Sequence, residues 1–242
     1  MRPQPLRPLV VDANKRYDLV ILAYQVWFLS PSQPMTAFLA SPEAAQLLKG
    51  TPVVTLIGCR NMWLMAQEKV KERLSDLGAR LVDNIALTDA CGTAASFLAT
   101  PLWLFTGRQK PYSWVPRAGI AEAEISAASR FGQAMRERLL KDELPIIQPM
   151  LKGLGAVRID EKLIASEKVG RRSFLLWSRL LAALGPQQSR RRAVGLVVYI
   201  VFLLCLIVTV VPLSALLKKL LAPLFKERTQ REKSYFAGPS GE

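Results

Sequence analysis

The sequence predicts an α/β domain with a parallel sheet, followed by a helical linker and a C-terminal transmembrane helix. An unbroken apolar run at residues 19–23 and a mostly apolar run at residues 53–57 have the composition of strands that are buried on both faces. Helical patterns separate the strand candidates, and alternating strands and helices favour parallel pairing through right-handed crossovers. A later run, residues 193–217, contains no charged residue.

The first strand candidate, residues 19–23, ends in an aromatic and polar stretch that we interpret as a loop, residues 24–30. Ser41, followed by Pro42 at the first helical position, predicts the start of a helix over residues 42–48. The second strand follows at residues 53–57 and ends at a glycine.

Apolar residues recur every three or four positions over residues 63–77, which predicts an amphipathic helix. Asn61 is placed to cap its start, and Gly78 is placed to end it in a left-handed conformation. Residues 80–87 are the third strand candidate. They include polar residues, which is typical of a strand at the edge of a sheet.

Residues 89–118 are rich in Gly, Ser, Thr, Pro and aromatic residues and predict a long irregular insertion, which usually has a function. An amphipathic helix after Gly119 is expected to close the domain. Residues 144–170 contain helix-breaking prolines and glycines and predict a linker. The apolar stretch at residues 174–184 is too short to cross a bilayer, and both an interfacial helix and a soluble amphipathic helix are consistent with it.

The uncharged run at residues 193–217 exceeds the length needed to cross the roughly 30 Å hydrocarbon core. Arginines 190–192 precede it and lysines 218–219 follow it, so the positive-inside rule does not choose an orientation. A single crossing with a cytoplasmic main domain is the favoured topology. A helix bent at Pro212 that returns to the same face is the alternative.

Composition excludes several functional classes. The formal charge is +14, but many basic residues flank the apolar segment, so we do not expect nucleic-acid binding. The chain has no histidine, which removes catalytic triads and imidazole metal sites, and no metal is expected. The three cysteines are scattered, which fits a reducing compartment. The first 16 residues lack the apolar region of a signal peptide, so we expect the main domain to be cytoplasmic.

Two strand ends carry the candidate site. In a parallel sheet the residues that follow neighbouring strands meet at the carboxyl edge, where ligands bind. A flat aromatic ligand fits between such loops, with a few polar groups fixing its orientation. The candidate residues are Gln25, Val26, Trp27 and Phe28 after the first strand, and Gly58, Cys59, Arg60 and Asn61 after the second. Each also has an ordinary interpretation: packing for the aromatic residues and Cys59, a solvated loop position for Arg60, and a helix cap for Asn61.

The stretches YDLVILAYQVWFLSPSQPMTAFL and GCRNMW carry a resemblance. They resemble the flavodoxin-like dialkylresorcinol condensing enzyme family, which accompanies resorcinol and aryl-polyene biosynthesis in bacteria. The resemblance implies an incomplete flavodoxin-like sheet in which the eight candidate residues flank the isoalloxazine ring of FMN. It also implies a function, the flavin-dependent oxidation (aromatisation) of a cyclic polyketide-type intermediate.

The chain departs from the flavodoxin pattern at its start. A flavodoxin-like domain begins with a strand and a Ser/Thr-Gly-rich loop that holds the FMN phosphate, and residues 1–16 contain no glycine. We therefore interpret the chain as an N-terminally shortened member and expect this form to bind FMN weakly. The alternative function is a non-catalytic, membrane-tethered scaffold that has lost the phosphate loop.

The predicted organisation has four parts: a basic Pro-rich lead (residues 1–16), a partial flavodoxin-like domain (17–143), a helical linker (144–189), and a transmembrane helix with a basic tail (190–242). The expected location is the bacterial inner membrane, crossed once. The expected partners are membrane lipid, a hydrophobic alkyl-resorcinol precursor whose chains enter the bilayer, and other enzymes of the same biosynthesis.

Overall fold

The computed structural model describes residues 6–9, 11–12, 15–141 and 146–242, with side chains for all of these except 93–94, 97, 211–212 and 214–224. The chain divides into an α/β unit, Met1–Ile159 with Ser234–Glu242, and a helical unit, Asp160–Lys233. The domain boundary predicted at residues 143–144 lies outside the described residues, as do parts of the predicted lead.

Within the described residues, four strands form one sheet in the order β2-β1-β3-β4. They are β1 (Val20–Trp27), β2 (Ser30–Pro31), β3 (Pro52–Cys59) and β4 (Arg80–Thr88). β1, β3 and β4 are parallel, whereas the short β2 pairs antiparallel with the end of β1. Ile21 lies opposite Val54, which confirms the predicted adjacency of the first two apolar runs. The predicted α/β class with a mostly parallel sheet is therefore confirmed.

The helices of the α/β unit are α1 (Gln33–Phe38), α2 (Pro42–Leu48), α3 (Leu64–Asp76), α4 (Thr93–Thr106), α5 (Glu122–Ala127) and α6 (Ser129–Leu140). The start of α2 is as predicted, because the Ser41 hydroxyl accepts a hydrogen bond from the Ala44 amide at 3.2 Å. Gly78 follows α3 with a φ of +68°, the left-handed conformation expected there.

The prediction of an irregular insertion at residues 89–118 is wrong, because α4 occupies much of it. Its Ala and Leu residues are strong helix formers, and they outweigh the single proline, Pro101, inside the helix. Gly92 and Gly107 bound α4, both at positive φ. The single closing helix predicted after Gly119 is instead two helices, α5 and α6, which meet at Ala128.

The two faces of the sheet are covered by different helices. α3 covers one face, where the Gln67 side chain reaches both β1 and β3. α6 covers the other face, where Phe131 and Met135 belong to the same buried cluster as Val54 of β3 and Ile85 of β4.

β1 is covered on one face only. Leu22 and Tyr24 are buried, but Ile21 and Trp27, which point the other way, are 50% and 46% exposed. The prediction of burial on both faces is thus wrong for β1 and confirmed for β3, where Val53 and Val54 are fully buried. The physical reason is that α6 packs on β3 and β4.

β4 ends the sheet, as predicted, yet it is buried. Asp83 and Asn84 are fully buried despite their polarity. The outer edge of β4 is covered by a later segment, whose Ala156 carbonyl accepts a hydrogen bond from the Ala86 amide at 2.8 Å. The C-terminal residues also contribute, since Ser240 is fully buried against Asp83.

The helical unit contains α7 (Glu161–Ala183), α8 (Arg190–Cys205), a π-helical turn (Leu206–Val210) and α9 (Val211–Ala237), whose end, from Ser234, belongs to the α/β unit. α7 packs on α8 through Trp177, whose ring centroid lies 5.1 Å from that of Tyr199 and 5.2 Å from that of Phe202. By length and composition, Arg190–Val210 is apolar and long enough to cross a membrane.

Candidate functional site at the carboxyl edge of the sheet

β1 continues through the stretch that was predicted to be a loop. It extends to Trp27 and turns back through Phe28 and Leu29 into β2. Both turn residues have left-handed backbones, with φ of +50° and +57°. Two-residue hairpin turns require this conformation, but bulky side chains rarely adopt it. Leu29 is buried and holds the turn, while Phe28 is exposed at the tip of the hairpin.

Gln25, Trp27 and Gly58 lie on the α6 face of the sheet, where Gln25 and Trp27 are exposed and Gly58 is half-buried. Side chains alternate along a strand, so Gln25 and Trp27 share this face. The Trp27 indole N–H donates a 3.2 Å hydrogen bond to the Gln25 side-chain oxygen. Gln25 lies opposite Gly58 in the strand register. The result is a flat floor, which ends where Ile120 lies above Gly58, 3.8 Å from the position a Cβ would take there.

Val26 and Cys59 lie on the opposite face, because they alternate with the floor residues. On that face Tyr24 is buried. Burial, and to a smaller degree the nearby Cys59, raise the pKa of Tyr24 well above its usual value. The structure therefore separates the predicted site residues of the two strands between two faces of the sheet.

Arg60 and Asn61 follow β3 and are half-buried. Burial lowers the pKa of the Arg60 guanidinium, while Asp89 and Cys91 act in the opposite direction. α3 begins at Leu64 with Trp63 as its N-cap residue, so the predicted cap by Asn61 is wrong.

Asp89 organises this edge and was not predicted. Its amide donates to the Cys59 and Arg60 carbonyls at 3.1 and 2.8 Å. Its carboxylate accepts hydrogen bonds from the Cys91 amide at 2.8 Å and the Gly119 amide at 2.9 Å. Asp89 thereby ties the ends of β3 and β4 to the loop that carries Ile120. The signal in the sequence was a carboxylate two residues after the third strand candidate, residues 80–87.

The Cys91 thiol is protonated at neutral pH. Burial and a hydrogen bond to Asp89 raise its pKa to about 11. A protonated thiol is a poor nucleophile.

A buried chain of hydrogen bonds runs across the α3 face of the sheet, and it too was not predicted. The Tyr24 hydroxyl donates to the Gln67 side-chain oxygen at 2.6 Å. Gln67 donates to the Thr55 hydroxyl at 2.8 Å, and Thr55 donates to the Asn84 side-chain oxygen at 3.0 Å. These bonds link β1, β3 and β4 beneath the candidate site and fix their relative positions.

A depression of about 430 Å³ lies at the other end of the strands. It is lined by Arg16, Tyr17, Lys49, Gly50 and Thr51, which precede β1 and β3. We place the candidate site at the carboxyl edge instead, because the exposed aromatic residues and the strained turn are there.

Comparison of the chain with protein family models, curated proteins and solved structures returned no match.

Proposed function

We propose that the chain is a membrane-anchored, flavodoxin-like protein that resembles the dialkylresorcinol condensing enzymes. Its proposed activity is flavin-dependent oxidation, and hence aromatisation, of a cyclic polyketide-type intermediate. The observation that carries this proposal is the flat floor of Gln25, Trp27 and Gly58, with the exposed ring of Phe28 at its end.

The floor suits a flat ring with one polar edge. The Trp27 indole offers an exposed aromatic surface, and aromatic rings in contact gain about 0.5–1.5 kcal/mol beyond the area they bury. Gly58 lies at the rim of this floor, where Ile120 limits how far a ring can extend. The Gln25 amide nitrogen is a donor for a ring carbonyl. Val26 and Cys59 support the floor from the opposite face and do not contact the ring.

FMN would supply the hydride acceptor in this reaction. Arg60 would stabilise negative charge at the polar edge of the ring, and Asp89 keeps the Arg60 backbone in place. The FMN phosphate fits less well, because the described residues before β1 include no glycine-rich turn that would offer backbone N–H donors. The ring therefore provides most of the expected affinity.

Flavin binding is tested with the full chain in mild detergent, titrated with FMN and with lumiflavin, which has the ring and no phosphate. We expect the two affinities to agree within about threefold, since a phosphate without donors adds little. Trp27→Ala should weaken both by about tenfold. Trp114→Ala removes another exposed tryptophan of the same unit and should have no effect. Equal effects of the two variants would show that the ring lies elsewhere.

The second candidate function is a non-catalytic scaffold tethered to the membrane, which recruits enzymes of the same biosynthesis. The observation that favours it is Asp89, beside the site, because both of its carboxylate oxygens accept hydrogen bonds from backbone N–H groups and so have a structural role. Absence of flavin binding in the titration, together with co-purification of biosynthetic enzymes, would favour the scaffold.

The apolar helix α8 supports the proposed membrane anchoring. Anchoring would hold the protein at the bilayer into which the alkyl chains of the proposed substrate partition. We expect the chain to remain in membranes after extraction with alkaline carbonate. Release by carbonate would contradict the anchoring. It would not bear on flavin binding, which the titration tests separately.

A further inference from the structure

The helix α4 and the loop after it expose an unusual number of apolar side chains. Leu104, Phe105 and Trp114 are 79%, 83% and 68% exposed. Leu98 and Tyr112 are exposed as well, and we call these five residues the aromatic patch. All five lie within residues 98–114, and exposed apolar side chains concentrated in one segment indicate an interaction surface.

Packing within the α/β unit holds the segment that carries the aromatic patch. Ala99, Val115 and Ala118 form a buried cluster that packs α4 against the loop after it. The Tyr112 and Trp114 rings stack on each other, with centroids 5.8 Å apart and planes 13° apart. The patch is therefore a preformed surface of the α/β unit.

The charged residues near the aromatic patch indicate which kind of partner it binds. Residues 90–121 contain Arg108, Lys110 and Arg117 and no acidic residue. Apolar and aromatic side chains beside cations match the interface of a bilayer that contains anionic lipid, where rings lie at the headgroup level and cations meet phosphate. A surface for another protein would have no need of an unbroken positive charge.

We propose that the aromatic patch is a membrane-docking surface that inserts into the interfacial region of a bilayer containing anionic lipid. It belongs to the α/β unit and contributes no residue to the floor at Gln25, Trp27 and Gly58. It is also distinct from α8, so its contact with lipid can be measured while α8 is intact.

The test uses the full chain reconstituted into phosphatidylcholine vesicles with and without phosphatidylglycerol. Trp114 fluorescence is taken as the difference between the wild type and Trp114→Phe. We expect this signal to be quenched by brominated lipid and shielded from aqueous iodide. Quenching by iodide would overturn the proposal, because the ring would then face water. Shielding from both quenchers would also overturn it, because protein, such as a second copy, would then cover the ring.

Charge variants test the lipid preference. The measured quantity is the increase in quenching by brominated lipid when phosphatidylglycerol is added to the vesicles. Arg108→Glu with Lys110→Glu should reduce this increase by at least about fivefold. Arg136→Glu with Lys141→Glu makes the same charge change on exposed residues at α6 and should leave that increase unchanged. Equal loss in both pairs would show that only the net charge matters, which contradicts docking through the patch.

A different observation concerns the C-terminal end of the chain. Ser240 is fully buried in the α/β unit, where its hydroxyl donates to Asp83 at 2.8 Å and accepts from the Asn84 amide at 2.7 Å. The Glu242 carboxylate accepts a 3.0 Å hydrogen bond from the Ile159 amide. The chain thus leaves the α/β unit after Ile159 and re-enters it at Ser234.

From this packing we infer that both ends of the helical unit lie on the same side of the membrane, an inference that rests on the proposed anchoring. A single crossing would separate Ser234–Glu242 from the strands they bind. A full return crossing needs about 20 apolar residues. After Val210 only residues 211–225 are mostly apolar, and they include Lys218 and Lys219. The apolar segment that begins with α8 therefore enters and leaves through the same leaflet, in contrast to the single crossing favoured by the sequence.

Cysteine labelling tests this topology. In a chain whose three native cysteines are replaced by serine, Asp76→Cys reports the side of the α/β unit and Lys226→Cys reports the segment after α8. We expect a membrane-impermeant maleimide to label both positions from the same side of sealed vesicles. Labelling from opposite sides would overturn the topology while the anchoring stands. A chain that does not sediment with vesicles would overturn both.

Discussion

β1 and β4 are the two outer strands of the parallel part of the sheet, and their burial is the opposite of what their compositions suggest. β1 is almost entirely apolar, yet Ile21 and Trp27 on one of its faces are about half exposed. β4 carries Asp83 and Asn84 at its centre, yet both are fully buried. The polar strand is the structural one, because the side-chain oxygens of Asp83 and Asn84 accept buried hydrogen bonds, whereas the apolar strand carries the exposed residues of the candidate site.

The largest expected effect comes from removing the carboxylate at the centre of β4. Asp83 accepts hydrogen bonds from the Met150 amide at 2.7 Å and from Ser240 at 2.8 Å. Asp83→Ala leaves these donors buried without an acceptor, which should lower the free energy of unfolding by about 3 kcal/mol or more. Urea unfolding in mild detergent measures it, with Asp76→Ala, an exposed carboxylate at the end of α3, as the control. A cost of less than about 1 kcal/mol for Asp83→Ala would contradict the structural role of β4.

The next effect concerns Ser240, which holds the C-terminal segment on β4. Ser240→Ala should lower the free energy of unfolding by about 1–2 kcal/mol, because the Asn84 amide and Asp83 each lose a buried partner. Ser129→Ala removes a hydroxyl that makes a 2.9 Å bond at an exposed site and should cost less than about 0.5 kcal/mol. Similar costs for the two variants would show that the tail does not stabilise β4.

The two faces of β1 are compared with Tyr24→Phe and Ile21→Thr. Tyr24→Phe leaves the buried Gln67 oxygen without its 2.6 Å donor and should cost about 1–2 kcal/mol of unfolding free energy. Ile21→Thr keeps a β-branched side chain on the open face and should cost less than about 0.5 kcal/mol. A larger cost for Ile21→Thr would mean that its face is covered.

The smallest expected effect concerns the ionisation of the Cys91 thiol, which lies just after β4. Its pKa is raised from 9.0 to about 11, so the favourable contribution of the neutral thiol to stability is complete below pH 9 and is lost as the pH rises through about 11. With Cys59 and Cys205 replaced by serine, alkylation by iodoacetamide should rise towards a midpoint near pH 11. Asp89→Asn removes a carboxylate that raises the pKa, so the midpoint should fall. An unchanged midpoint would contradict the role given to Asp89.

Local patterns in the sequence predicted much of the fold. The cap at Ser41, the left-handed glycine at Gly78 and the apolar run of β3 each depend on a few neighbouring residues, and each is present as predicted. The parallel pairing of β1 and β3 also follows from local order, since a strand, a helical crossover and a strand favour one arrangement. The candidate residues at both strand ends were predicted from the same order.

The sequence by itself determined the α/β class, the parallel pairing of β1 with β3 and which strand ends meet at the carboxyl edge, although it missed α4. Only the tertiary structure decided which faces are covered. An apolar run in β1 and an apolar run in β3 have the same local preference, but α6 packs over β3 and β4 and leaves Ile21 exposed. Likewise, the buried Asp83 takes its hydrogen-bond donors from distant segments, the Met150 amide and Ser240, which lies more than 150 residues later. Burial is a property of contacts between distant segments, and no local pattern encodes which segment arrives.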